Sequence, residues 1–162
     1  MLPTERCQRL GELLDAYGGA LALFAAQWTT SADDCVQEAL IRLAAQNPWP
    51  EHDVAWLYRV VRNLALNAAQ AGQRRRKHEE FACRLRLEAS GPRDSALEAE
   101  MVAEALDRLP AELRELIVAK VWGQLTLEQL AITFATSKST IHRRLEQALA
   151  DLRVELAPQR AE

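Results

Sequence analysis

The sequence predicts an all-α protein built as two small helical domains joined by a flexible linker. Three observations predict it. Gly and Pro are sparse, six of each in 162 residues, while Ala and Leu are abundant. Apolar residues recur at helical spacing in segment after segment, on both sides of the chain's middle. The strongest break, Ser90-Gly91-Pro92, stands in a stretch with few large apolar groups, which places a linker at residues 80–96 between domains at 1–79 and 97–162.

The length suits one ordinary domain or two small ones, and 49% apolar content is enough for a buried core. The net charge of −3 announces no nucleic-acid partner, but the local distribution does more. Residues 54–78 carry six basic side chains and no acidic one, whereas 79–104 carry seven acidic against three basic. The three cysteines, Cys7, Cys35 and Cys83, are odd in number and lack CxxC spacing, so neither a disulfide framework nor a zinc site is expected. No apolar run nears the ~20 residues a membrane span needs, and the N-terminus is too charged for a secretory signal. A soluble, cytoplasmic protein is expected, without membrane insertion.

The elements follow in order. Leu10, Leu13 and Leu14 share a face of a helix over 4–16, Gly18-Gly19 interrupts it, and 20–28 forms a second. Ser31, with Asp34 three residues on, has the form of an N-cap for a helix carrying Val36, Leu40 and Leu43, ended by Pro48 and Pro50. Asp53 is placed to cap the next helix, in which Leu57, Val60, Val61, Leu64 and Ala68 repeat toward the Arg74–Lys77 run. Beyond the linker come helices at 98–108 and 111–122. Thr126 caps a short helix with Leu127, Leu130 and Phe134, and Ser137 caps a last one striped by Ile141, Leu145, Ala148, Leu149, Leu152 and Leu156.

Two capped helices joined at Ala135-Thr136 make a helix-turn-helix pattern, in which the second helix offers its N-terminal residues to the DNA major groove. Lys138, Ser139, Thr140, His142, Arg143 and Arg144 crowd that end. Arg bridges guanine O6 and N7, and Ser or Thr meets a base or a phosphate. The same residues would also serve as the wet face of any helical bundle. The turn lacks the usual Gly, and Ala135 would cost ~1 kcal/mol if left-handed geometry is required there.

Both halves together resemble a known family. SADDCVQEALIRL (31–43) and AWLYRVVRNLALNAAQAGQRRR (55–76) resemble the second conserved region of bacterial RNA polymerase sigma factors of the extracytoplasmic-function (ECF) type, and residues 105–153 resemble their fourth region. The resemblance implies core RNA polymerase and promoter DNA as partners and leaves room for an anti-sigma protein. It implies that Asp33, Asp34, Gln37, Glu38 and Arg42 dock on core polymerase. It assigns the −10 element to Arg59, Arg62, Asn63, Asn67 and Gln70, with Arg74, Arg75, Arg76 and Lys77 as an electrostatic rail. The −35 element falls to Thr126, Lys138, Ser139, Thr140, His142, Arg143 and Arg144. Trp56 is expected to pack in the core, and Tyr58 is open between core packing and base stacking. The segment 68–72 is bland, and Thr136 stands where the family has an apolar turn residue.

No enzyme is expected, and no metal or cofactor: the sequence has no Ser-His-Asp order, no Gly-rich phosphate loop and no metal-ligand cluster, and His52, His78 and His142 are scattered. Two alternatives explain part of the chain. A stand-alone helix-turn-helix regulator accounts for 105–156 but not for 31–76, and a protein-binding helical adaptor without DNA contact accounts for the altered turn.

Overall fold

The computed structural model describes residues 1–69, 74–88 and 95–157. Eight helices are found among them: α1 (Pro3–Ala25), α2 (Ala32–Ala44), α3 (Asp53–Ala68), α4 (Arg74–Glu88), α5 (Ser95–Arg108), α6 (Ala111–Val121), α7 (Leu127–Thr133) and α8 (Lys138–Leu156). The first four form one helical domain and the last four a second. The described residues contain no strand.

In the first domain α1 packs on α2, α3 and α4. Leu13, Leu21, Phe24, Leu43, Leu57, Tyr58 and Val61 are buried there. Each such Leu contributes ~2 kcal/mol by leaving water. In the second domain α8 lies across α5, α6 and α7. Its Ile141, Leu145 and Ala148 close over Leu106, Ile117, Leu125 and Leu130. The two domains also touch, most extensively α4 against α5, and also α3 against α7 and α1 against α6.

Several expectations need correction. Gly18 and Gly19 do not interrupt α1, which continues to Ala25 with Ala20 through Ala25 all buried. Burial of that run outweighs the ~1 kcal/mol helical penalty of each Gly. Gly19 is also a point of close approach, since a Cβ there would lie 2.2 Å from the Glu88 carboxylate. The stretch 80–96 is helical at both ends. Phe81, Ala82 and Leu85 are buried on one face of α4, and Ser95 begins α5, leaving 89–94 outside the described residues. Ser31 is the N-cap of α2 by position, yet its side chain caps nothing; its backbone N–H donates to Thr29 Oγ at 3.1 Å. His52, not Asp53, is the N-cap residue of α3. Asp53 accepts instead from Arg9 Nε at 2.8 Å, Arg9 Nη2 at 3.0 Å and Trp49 Nε1 at 3.2 Å, tying α3 to α1.

The second domain follows its caps. Thr126 Oγ accepts from the Gln129 N–H at 3.1 Å while Gln129 Oε1 accepts from the Thr126 N–H at 2.9 Å, a closed capping box. Ser137 Oγ accepts from the Thr140 N–H at 3.2 Å. Between them Ala135 has φ 51°, the left-handed conformation the turn demands.

Candidate polymerase and nucleic-acid interfaces

Three surfaces carry the candidate residues. The first is the outer row of α2, whose inner face holds Ala32, Cys35, Val36, Ala39 and Leu43 in the core. That burial turns Asp33, Asp34 and Gln37 outward, and Glu38 is half-buried beside them. Arg42 donates from Nε to Glu38 Oε1 at 2.7 Å, one helical turn apart. Asp33 accepts from Arg84 of α4 through Nη2 at 2.9 Å and Nη1 at 3.2 Å, although its own side chain is 78% exposed. Ile41, 59% exposed, sits in the middle of this polar row. It was not among the residues singled out from the sequence, although its place four residues after Gln37 puts it on the outer phase.

The second surface is the outer face of α3. Arg59, Asn63 and Asn67 are exposed there and Arg62 is half-buried. Arg59 Nη2 donates to the Ile132 carbonyl of α7. Arg62 donates to Glu115 of α6 from Nε at 2.7 Å and Nη2 at 3.3 Å, and its guanidinium stands 6.0 Å from the Phe134 ring centre. Glu115 is only 4% exposed. Burial pushes its carboxyl above the usual carboxylate range, against the downward pull of Arg62. Thr133 Oγ donates to the Gln129 carbonyl at 2.8 Å and lies 3.4 Å from the Ala55 carbonyl of α3.

Gln70 lies outside the described residues. Arg74 and Arg75 open α4, but only its later side chains are described. Arg76 is exposed, whereas Lys77 is half-buried. With Trp28, His78, Phe81 and Arg114 it borders a cleft of about 300 Å³ between the domains. Trp56 packs against the core as expected. Tyr58 is settled by its burial: it is wholly inside, edge-on to Phe24 at 5.1 Å, and cannot stack on a base. Its hydroxyl has no hydrogen-bond partner among the described residues.

The third surface is the start of α8. Lys138, Ser139, His142, Arg143 and Arg144 are exposed, and Thr126 is exposed at the head of α7. The inner stripe fixes the helix rotation, so Arg143 points directly away from the core, flanked by Ser139. Arg144 turns to one side and borders a groove shared with Arg59, Arg62, Asn63, Glu112 and Glu115. Thr140 is drawn into the cap, hydrogen-bonded to Ser137 Oγ at 2.9 Å. His142 Nδ1 stands 3.7 Å from Glu146.

As for metal ligands, His78, Glu100 and Glu104 bring their ligand atoms within 4.8 Å of one another. His78 Nε2 is 3.0 Å from Glu100 Oε1, a side-chain hydrogen bond that ties α4 to α5. Of the cysteines Cys35 is buried, with Cys7 and Cys83 exposed. Among the described residues no helix is long and apolar enough to cross a membrane.

The helical domains coincide with two family matches. Residues 13–76 match the Sigma-70 region 2 family and residues 99–152 match Sigma-70 region 4. The ECF RNA polymerase sigma factor SigL of Mycobacterium tuberculosis is 29% identical over 154 residues, 89% of this chain and 86% of SigL. The chain belongs to the ECF sigma factors. As a sigma factor it binds core RNA polymerase and promoter DNA and directs transcription initiation. The sigma fold is shared by CnrH, solved in complex with the cytosolic domain of CnrY, at a TM-score of 0.61 and 23% identity over 93% of this chain and 90% of that one. Sigma factors are non-catalytic initiation factors as a family.

Proposed function

We propose that the three surfaces divide the work of a sigma factor between them. The α2 row of Asp33, Asp34, Gln37, Glu38 and Arg42 docks on core polymerase, with Ile41 as an apolar contact at its centre. An exposed Ile ringed by carboxylates and an amide suits a partner that offers both an apolar spot and basic side chains. The α3 face reads the separated −10 strand. Arg59 and Arg62 meet phosphates, while Asn63 and Asn67 meet base edges, with Gln70 and the Arg74–Lys77 run continuing the track. The helix-turn-helix reads −35 in duplex form. Arg143 and Ser139 face the groove floor, and Lys138 and Arg144 flank it at phosphate height. The domain division follows these tasks, with α4 closing the first domain at Glu88 and α5 opening the second at Ser95.

One observation carries the reading. The left-handed Ala135 turn and the buried Ile141, Leu145 and Ala148 leave the basic start of α8 wholly outward, in the geometry of a recognition helix. The chain has no catalytic role of its own and works in the cytoplasm, where polymerase and promoters are. An anti-sigma protein belongs to the same reading, supported by the neighbour CnrH, which was solved with a second protein.

The test is reconstitution. Co-elution with core polymerase on gel filtration, followed by run-off transcription from a library of genomic fragments, is expected to yield a discrete set of promoters. A chain that binds duplex DNA without polymerase, or supports no promoter-dependent transcript, would sink the reading.

A further inference from the structure

Where α4 meets α5, a histidine and two carboxylates converge on one point, apart from the three surfaces described above. We propose that His78, Glu100 and Glu104 form a binding site for a zinc ion, which ties the last helix of the first domain to the first helix of the second. The proposal is independent of how the three surfaces divide the work.

The three ligand atoms already lie within 4.8 Å of one another. Zinc holds imidazole nitrogen and carboxylate oxygen at ~2.0–2.2 Å, so two ligands of one tetrahedral ion stand roughly 3.3–3.5 Å apart. His78 Nε2 and Glu100 Oε1, at 3.0 Å, need only part slightly to admit the ion between them. Glu100 and Glu104 stand one turn apart on α5, so both carboxylates project from one face. Glu104 is exposed, and its side chain is free to rotate the remaining distance.

A hydrogen bond between the helices would need His78 and Glu100 alone. Glu104 adds a second negative charge at a spacing where like charges on a helix repel. Among the described residues it takes no hydrogen bond and no ion pair, so its carboxylate is available. A divalent cation resolves the arrangement, because two carboxylates cancel its charge and the imidazole supplies a third, neutral ligand. The nitrogen ligand selects the metal. Magnesium and calcium favour oxygen alone, whereas zinc accepts imidazole with carboxylates. Three protein ligands leave a fourth position to water, so the ion is exchangeable. Arg76 and Lys77 precede His78 and oppose a cation, which places the affinity at micromolar level rather than at that of a closed structural site. The expectation of no metal rested on local spacing, and these ligands come from two helices, His78 and Glu100 being 22 residues apart.

The position gives the ion a consequence. Between the domains, α4 against α5 is the most extensive contact. Coordinate bonds across it set how firmly the second domain's first helix is held on the first domain.

Titration calorimetry of zinc chloride into the full chain tests this. Cys7→Ser and Cys83→Ser are first introduced together, since both thiols are exposed and bind zinc on their own. This thiol-free parent is expected to take one equivalent of zinc at micromolar affinity, with magnesium in large excess unable to compete. His78→Gln and Glu104→Gln should each weaken binding roughly tenfold or more. Hydrogen exchange read by mass spectrometry should slow in peptides of α4 and α5 when zinc is added to the parent, stay unchanged in α8, and not respond in either variant. Glu104 is exposed and unpaired, so Glu104→Gln decides even if His78→Gln disturbs α4. Zinc affinity left intact by Glu104→Gln would overturn the proposal. So would a thiol-free parent that binds no zinc, or zinc displaced by magnesium, which marks only a loose pair of carboxylates. Zinc bound without slower exchange in α4 and α5 would overturn the tie between the domains.

Discussion

Arg84 on α4 grips the carboxylate of Asp33 on α2 with two guanidinium bonds of 2.9 and 3.2 Å, so the first residue of the row proposed to dock on polymerase is also an anchor between helices. Arg84 is shared with Glu80 at 3.1 Å, which completes a small network. Asp33 is therefore a poor probe of docking, because its loss changes both the row and the anchor. Arg84→Ala is expected to lower stability by less than about 1 kcal/mol, since Asp33 is largely solvated, and to leave affinity for core polymerase unchanged. Chemical denaturation and a pull-down on core polymerase check the two halves of that expectation.

Asp34 and Glu38 carry the docking claim with less ambiguity. Reversing both to Lys is expected to weaken binding to core polymerase at least tenfold while circular dichroism stays helical. The pair belongs to the acidic row proposed to meet a basic partner. A loss of helicity instead would assign these carboxylates to the cap and dipole of α2.

Ala135 stores strain. At φ 51° its Cβ crowds the backbone, and Gly removes that conflict at the cost of a freer unfolded chain. Ala135→Gly should raise stability by about 1 kcal/mol, measured by denaturant titration, without altering the spectrum of the folded state. A destabilised Gly variant would mean that the turn is not held in the left-handed region.

The Asp53 carboxyl gives a pH dependence whose sign is fixed. Burial raises its pKa, but the hydrogen bonds from Arg9 and Trp49 and the charge of Arg9 outweigh burial and leave it below the usual carboxylate range. The stability from this pair is therefore full above the unfolded-chain value of ~3.9 and is lost as pH falls through the lower folded value. Asp53→Asn is expected to cost roughly 1 kcal/mol at neutral pH, given that Arg9 is partly solvated, and to converge with the parent in strong acid. Equal stability at neutral pH would remove the pair from the account of how α3 is held on α1.

What the sequence could and could not reveal divides along the range of the interaction. Thr126 and Ser137 were legible as caps because each bonds a backbone N–H three residues on. The polar start of α8 was legible because the apolar stripe beside it is regular. Gly18-Gly19 misled because a local preference for turns was overruled by burial of α1 in the core. Tyr58 was undecided because it stands two residues from Trp56, at the edge of the inner stripe, and the packing of Phe24 against it decided the matter. Ser31 and Asp53 had the right residue types for caps, but Ser31 holds the cap position without a side-chain bond and the Asp53 carboxylate is taken by Arg9 and Trp49. The Arg62–Glu115 pair spans 53 residues, and no local pattern connects its members.

The two arginines of α8 should separate in their effects. Arg143, opposite the buried stripe, is expected to lose ~1–3 kcal/mol on the preferred −35 sequence when changed to Ala, and to relax discrimination at one base position. Arg144→Ala should weaken all promoters alike and reduce the salt slope by about one counterion. Footprinting affinity on single-base promoter variants across a salt series distinguishes them.

The most direct measurement is open-complex formation by reconstituted holoenzyme on a promoter drawn from the genomic library and on a copy with its −35 element scrambled. The parent chain should prefer the intact promoter strongly. With Lys138, Arg143 and Arg144 all changed to Ala, that preference should collapse while binding to core polymerase is retained. If the triple variant still prefers the intact promoter to the same degree, the start of α8 does not read DNA, and the assignment of −35 recognition to this helix is wrong.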